Sequence, residues 1–327
     1  NYKKKFTKQI SNFKDTQRVP GIDIDKDNIL HIVWYGITNK DKSRQVLYSK
    51  GTSKTNDKFT KPKIVDKIES KEEKKYWQEH PSITIKDKNI FVVWEGQDKK
   101  NDNQQIKISY STDLGENFKD YKHIDSISTS TQSRPSVVCI DEDTCYLFAY
   151  SRFGEKNQRI GFTKIEGLSS ISKSTDFKLI KVNENADNRH VDVTLLDDAP
   201  VFAYREYIED KKSSIILQKL DNKRLIIKSE ENNYMFPNIS TDNSDIFLTW
   251  ISSKDKSDLP RDNPKKGKVL FKVYSKDLQE QSKTILIEEN SLYPNIPKYI
   301  SNYKIPIVYL KENSDNEYDI KLKLLTY

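Results

Sequence analysis

One pattern returns six times along the 327 residues: a short strand led by proline, a tight polar turn, then an apolar strand ending in an aromatic residue. It reads PGIDIDKDNILHIVWYG from Pro20, PSITIKDKNIFVVWEG from Pro81 and PSVVCIDEDTCYLFAYSR from Pro135. It returns as PNISTDNSDIFLTWIS from Pro237 and PNIPKYISNYKIPIVYLK from Pro294, and without the proline as HVDVTLLDDAPVFAYRE from His190. The terminal aromatics are Trp34, Trp94, Tyr150, Tyr204, Trp250 and Tyr309. A third alternating strand follows each copy, and a fourth follows the first five. Copies spaced by roughly 45 to 60 residues match the length of a four-stranded propeller blade. The reading is therefore all-β: a six-bladed β-propeller of four-stranded antiparallel blades. It forms a single domain over 1–327, with blades near 18–66, 81–125, 135–184, 189–230, 237–289 and 294–327. The last copy has only three strands, so KKKFTKQIS within residues 1–11 is expected to supply the fourth and leave no open sheet edge.

Composition agrees with strands and polar turns. Aromatics make up 11%, including 18 Tyr, and helical periodicity is absent over any useful length. No apolar run approaches the length of a transmembrane helix. The charge of +7, from 56 basic and 49 acidic residues, is spread through every loop as Lys. Nucleic-acid binding would call for basic clusters interleaved with stacking aromatics, and none stands out. The chain begins at Asn1, which suits a mature form whose targeting segment has been removed.

Cys139 and Cys145 flank the turn Asp141-Glu142-Asp143, so two antiparallel strands would set them opposite one another within disulfide reach. A disulfide there implies export to an oxidising compartment: periplasm, cell surface or medium. The other reading is a pair of buried thiols.

The run Ser111-Thr112-Asp113-Leu114-Gly115-Glu116-Asn117-Phe118 resembles the Asp-box, S-x-D-x-G-x-x-[FW], of sialidases and related propellers. Ser111, Asp113, Gly115 and Phe118 are its structural residues, forming a turn on the face away from the ligand. The resemblance implies a sialidase-like site of three arginines, a Tyr–Glu nucleophile pair and an Asp acid/base. Arg18 stands at the first arginine, Arg205 at the second, Tyr293 at the nucleophile and Asp41 at the acid/base. The Glu falls on Arg189 or His190, and the third arginine falls in Tyr234-Met235-Phe236. Without a carboxylate to take its proton, a tyrosine with a free pKa near 10 is a poor nucleophile.

The same loops gather Arg18, Arg134, Arg152, Arg189 and Arg205, five of only nine arginines. Guanidinium groups hold carboxylates with two prongs, which Lys does not. The alternative is salt bridging between blades. Trp77 and Tyr207 beside them suit sugar faces, while Trp34, Trp94 and Trp250 suit packing between sheets. Glu79 and Glu95 could meet across the rim as paired carboxylates. The histidines show no metal spacing, so neither metal nor cofactor is expected. The expected function is an exported module binding an acidic glycan or a protein partner. Its rivals are an active exo-sialidase-type hydrolase and a scaffold subunit of a larger assembly. Nothing in the sequence speaks to oligomeric state.

Overall fold

The computed structural model describes residues 3–10, 17–37, 43–54, 57–68, 76–99, 104–124, 133–167, 176–209, 211–254, 267–300, 304–312 and 318–326. Among these residues there is no helix. After β1 (Lys3–Gln9), the first sheet contains β2 (Gln17–Ile24), β3 (Leu30–Ile37), β4 (Arg44–Gly51) and β5 (Lys63–Ile64). The second contains β6 (Gln78–Lys86), β7 (Asn89–Gly96), β8 (Gln105–Ser111) and β9 (Lys122–His123). The third is β10 (Ser133–Cys139), β11 (Thr144–Ser151), β12 (Arg159–Glu166) and β13 (Lys178–Leu179). The fourth is β14 (Asp187–Leu196), β15 (Ala199–Tyr207), β16 (Ser214–Lys219) and β17 (Arg224–Ile227). The remaining strands are β18 (Asn233–Thr241), β19 (Asp245–Ser253), β20 (Gly267–Ser275), β21 (Ile285–Asn295), β22 (Lys304–Glu312) and β23 (Tyr318–Thr326).

These last strands correct the expected blade count. The propeller has four four-stranded blades closed by one seven-stranded sheet, β18 to β23 in sequence followed by β1, rather than six separate blades. The cause is β21. Its first half pairs with β20, from Phe271↔Ile285 to Val269↔Glu288, and its second half pairs with β22, from Ser291↔Lys311 to Asn295↔Val308. The stretch expected to break between two blades runs on as one bulged strand. At the far edge β1 pairs antiparallel with β23, from Lys3↔Thr326 to Gln9↔Lys321, and covers an edge that would otherwise be open.

Apolar faces pack between neighbouring sheets. Val33 and Tyr48 meet Ile83, Trp94 and Phe118, while Phe148 and Phe202 lie 5.2 Å apart between the third and fourth sheets. Trp34, Trp94 and Trp250 are fully buried, and each such side chain contributes about 1.5–3 kcal/mol by leaving water. The indole of Trp94 donates to Gln78 Oε1 at 2.9 Å, and that of Trp34 donates to Gln17 in the same way. Gly36 and Gly96 follow from this contact, because a Cβ at either position would collide with the glutamine amide.

A repeated bond joins inner strand β6 to β10, β10 to β14, β14 to β18 and β21 to β2. A side chain just below the rim accepts a backbone N–H from the next inner strand. Ser82 Oγ takes Val137 N at 3.5 Å, Ser136 Oγ takes Val193 N at 3.2 Å, and Asp192 Oδ2 takes Ile239 N at 2.9 Å. Asn295 Oδ1 takes Ile22 N at 3.1 Å and joins the seven-stranded sheet to the first. Lys298 is buried on the axis, ion-paired with Asp192 and donating to Ser136 Oγ at 3.0 Å.

Candidate functional site

All six inner strands carry a bulge at the same level, and at each bulge one residue takes a left-handed backbone conformation. These residues are Val19, His80, Arg134, His190, Phe236 and Tyr293, with φ between +45° and +54°. Such angles are uncommon without glycine and cost about 1–3 kcal/mol each, while a bulge re-aims the side chain it carries. Here the six side chains ring the mouth of the central channel. Below them lies a cavity of about 70 Å³, floored by Ser82, Ser136, Asp192, Asn238 and Asn295. That volume suits a few waters, well below the ~300 Å³ of a small-ligand pocket.

Arg134 lies over this mouth. Its guanidinium carbon is 4.6 Å from the ring centroid of Phe236 and 5.5 Å from that of Tyr293. Arg44, at the start of β4, sits 5.7 Å from the Tyr35 ring and 4.6 Å from the Trp77 ring, and is ion-paired with Glu79. Burial raises the pKa of Tyr35, the nearby Tyr293 adds to the rise, and the charges of Arg18, Arg44 and Arg134 oppose it. Three guanidinium groups therefore act on one tyrosine at the mouth. Arg18 is half-buried, and its Nε is enclosed without a hydrogen-bond partner among the described residues.

Glu79 and Glu95 face one another in the β6–β7 register, with His80 hydrogen-bonded to Glu95 beside them. One ligand atom from each of the three lies within 4.8 Å of the others, the donor set of a divalent cation site. Arg44 on Glu79 already supplies one positive charge there, which offsets one of the two carboxylates. The sequence reading pairs Glu79 with Glu95, and the β6–β7 register does set them opposite one another; it misses His80, which joins them at the bulge of β6.

The other expected site residues are dispersed. Arg205 is 1% exposed and pairs in register with Arg189, which donates to Asp187 at 3.0 Å. Tyr207 is half-buried, its ring 5.8 Å from the Arg205 guanidinium. Arg152 is exposed in a turn where its carbonyl accepts Glu155 N, away from the cavity lining. Tyr293 lines the mouth, with Phe236 edge-on at 4.6 Å and His190 stacked on Phe236 at 4.3 Å. Trp77 is 46% exposed. Asp41 lies outside the described residues, as do 255–266 of the long loop after β19.

The turn at Ser111 stands at the opposite end of its sheet, because β6 starts at the mouth and β8 ends away from it. Ser111 Oγ accepts Gly115 N at 2.9 Å, and Asp113 Oδ1 accepts Asn117 N at 2.9 Å. Hydrogen bonds from Ser111 and Asn117 hold the Asp113 carboxyl well below the usual range. Phe118 packs edge-on against Tyr48 at 5.0 Å, docking the second sheet on the first. Cys139 and Cys145 are also at the far end, joined by a disulfide across directly paired positions of β10 and β11.

No family model and no curated protein matches the chain, so the expected membership of an Asp-box repeat family is withdrawn and only the turn chemistry stands. Solved structures do match in fold. A protein of unknown function from Dyadobacter fermentans is 11% identical with a TM-score of 0.72, covering 99% of both chains. The phage phi92 endosialidase is 9% identical with a TM-score of 0.67, over 98% of this chain and 69% of its own. The α-L-arabinanase of Penicillium chrysogenum is 7% identical with a TM-score of 0.66, over 99% and 98%. These likenesses establish a β-propeller fold distantly similar to sialidase and other glycoside-hydrolase propellers; since the same fold carries different chemistries, they leave the activity to the site itself.

Proposed function

We propose that this chain is an exported, non-hydrolytic propeller that binds carboxylate-bearing glycans at the mouth through Arg18, Arg44 and Arg134. The observation that carries the reading is the convergence of these three arginines around Tyr35 and Tyr293, with a buried donor of Arg18 awaiting an acceptor. Charge-assisted bonds to a carboxylate are worth about 1.5–3 kcal/mol each.

The packing around Tyr293 argues against hydrolysis. Its ring rests on Phe236, and His190 occupies the neighbourhood where a sialidase would hold its glutamate. The carboxylates at the mouth, Glu79 and Glu95, are engaged by Arg44 and His80. A scaffold role has less support. Among the described residues, the exposed aliphatic side chains Ile64, Leu179 and Ile226 stand on three different sheets.

The test is calorimetric titration with sialyllactose alongside an aryl-sialoside cleavage assay. The reading expects binding that Arg134→Ala abolishes, with turnover at background. Robust cleavage lost in Tyr293→Phe would overturn it in favour of a hydrolase, and absence of binding would overturn carboxylate recognition.

A further inference from the structure

Trp77 is the large aromatic side chain left open to solvent beside the mouth. Among the described residues, Trp34, Trp94 and Trp250 are buried, and the other strongly exposed aromatic, Tyr299, bridges to Thr241 at the far end of β18. One partner holds Trp77 in place: the Arg44 guanidinium 4.6 Å from its ring centroid, itself fixed by the ion pair to Glu79. A π-face backed by a tethered cation is pre-ordered, so covering its open surface costs little side-chain entropy.

The size of the mouth decides what covers it. A cavity of about 70 Å³ does not admit a sugar ring, so a glycan engaged by the arginines must lie across the rim and extend sideways. Arg44 contacts both Tyr35 and Trp77 and links the arginine cluster directly to the exposed indole. The geometry points to Trp77 as a second subsite that stacks on the neutral sugar next to the acidic one, making the ligand an oligosaccharide rather than a free acid sugar. This inference rests on the carboxylate recognition proposed above and adds to it a requirement for chain length. Apolar C–H faces of a pyranose supply the contact, and no charge is needed at this position.

The experiment titrates the full chain with sialyllactose and with free N-acetylneuraminic acid, following both heat and tryptophan fluorescence, for the parent, Trp77→Ala and Trp77→Phe. The expected result is about three- to tenfold tighter binding of the trisaccharide, lost in Trp77→Ala and largely kept in Trp77→Phe. A fluorescence change on binding should vanish in both variants, since the remaining tryptophans are buried. Equal affinity for the two ligands, or a trisaccharide advantage that survives in Trp77→Ala, would overturn the subsite and leave carboxylate recognition standing. If the parent binds neither ligand, both the recognition reading and the subsite fall. Because Trp77 is exposed, its replacement leaves the core untouched, and an unchanged melting temperature verifies this.

Discussion

Arg134 and Phe236 belong to inner strands that are not neighbours, β10 and β18, yet the guanidinium of one lies 4.6 Å from the ring of the other, across the level of β14. The same guanidinium lies 5.5 Å from the Tyr293 ring, so one side chain spans three inner strands at the mouth.

The stack separates shape from charge. Arg134→Lys keeps a cation but loses the fork and the flat contact, so carboxylate affinity should fall about tenfold or more, consistent with loss of a bidentate pair. Calorimetric titration would measure this, with the melting temperature nearly unchanged. Lysine binding as tightly as arginine would mean that Arg134 acts only as a diffuse charge.

Arg205 should behave differently from Arg134. It is buried beside Arg189, so Arg205→Ala removes packed volume and should destabilise the fold by about 2–5 kcal/mol. Ligand affinity measured well below the melting temperature should persist. A variant that melts like the parent but no longer binds would show that Arg205 reaches the ligand.

Stability should fall as pH rises from about 4 to 7. Burial pushes both Asp23 and Asp66 up to about 7, even though each accepts backbone N–H bonds. In this window the folded chain keeps protons that the unfolded chain releases, which favours unfolding as pH increases. Below about pH 4.5 the trend reverses. Burial alone would raise Glu288, but hydrogen bonds from Lys323 and Lys311 prevail and bring it down to about 2, so its contribution is lost as acid protonates it. Thermal scans should therefore peak near pH 4–5, and Asp23→Asn should flatten the descent above that. A melting temperature that climbs steadily from pH 4 to 7 would contradict this assignment.

Much of the fold was legible because alternation with period two and a recurring aromatic leave few alternatives to stacked antiparallel sheets. The number of separate blades was not. The polar stretch Glu288-Glu289-Asn290-Ser291 looks like a loop, but Asn290 absorbs the irregularity at φ +51° and the backbone continues as one strand. The site was half-legible for a related reason. The expected rim residues fall partly at the bulge position itself, Arg134 and Tyr293, and partly one residue before it, Arg18 and Arg189, and a bulge re-aims the side chain it carries. Hence Arg134 and Tyr293 face the mouth while Arg189 pairs with Asp187. Arg44 was missed because nothing near it in sequence reveals that Tyr35 and Trp77 converge on it.

The ion pair on the axis gives the last test. Lys298 and Asp192 are both buried, and Asp192 also accepts Ser136 Oγ at 2.5 Å and Ile239 N at 2.9 Å. Lys298→Met should cost about 3–5 kcal/mol, because it strands a carboxylate away from water. Adding Asp192→Asn removes the charge while keeping an acceptor for Ile239 N, so the double variant should recover most of that loss. Denaturant unfolding of the two single variants and the double variant measures the coupling directly. Strictly additive losses would mean that the two residues act independently and that the side-chain acceptors of backbone N–H groups, rather than the buried ion pair, hold the inner strands in register.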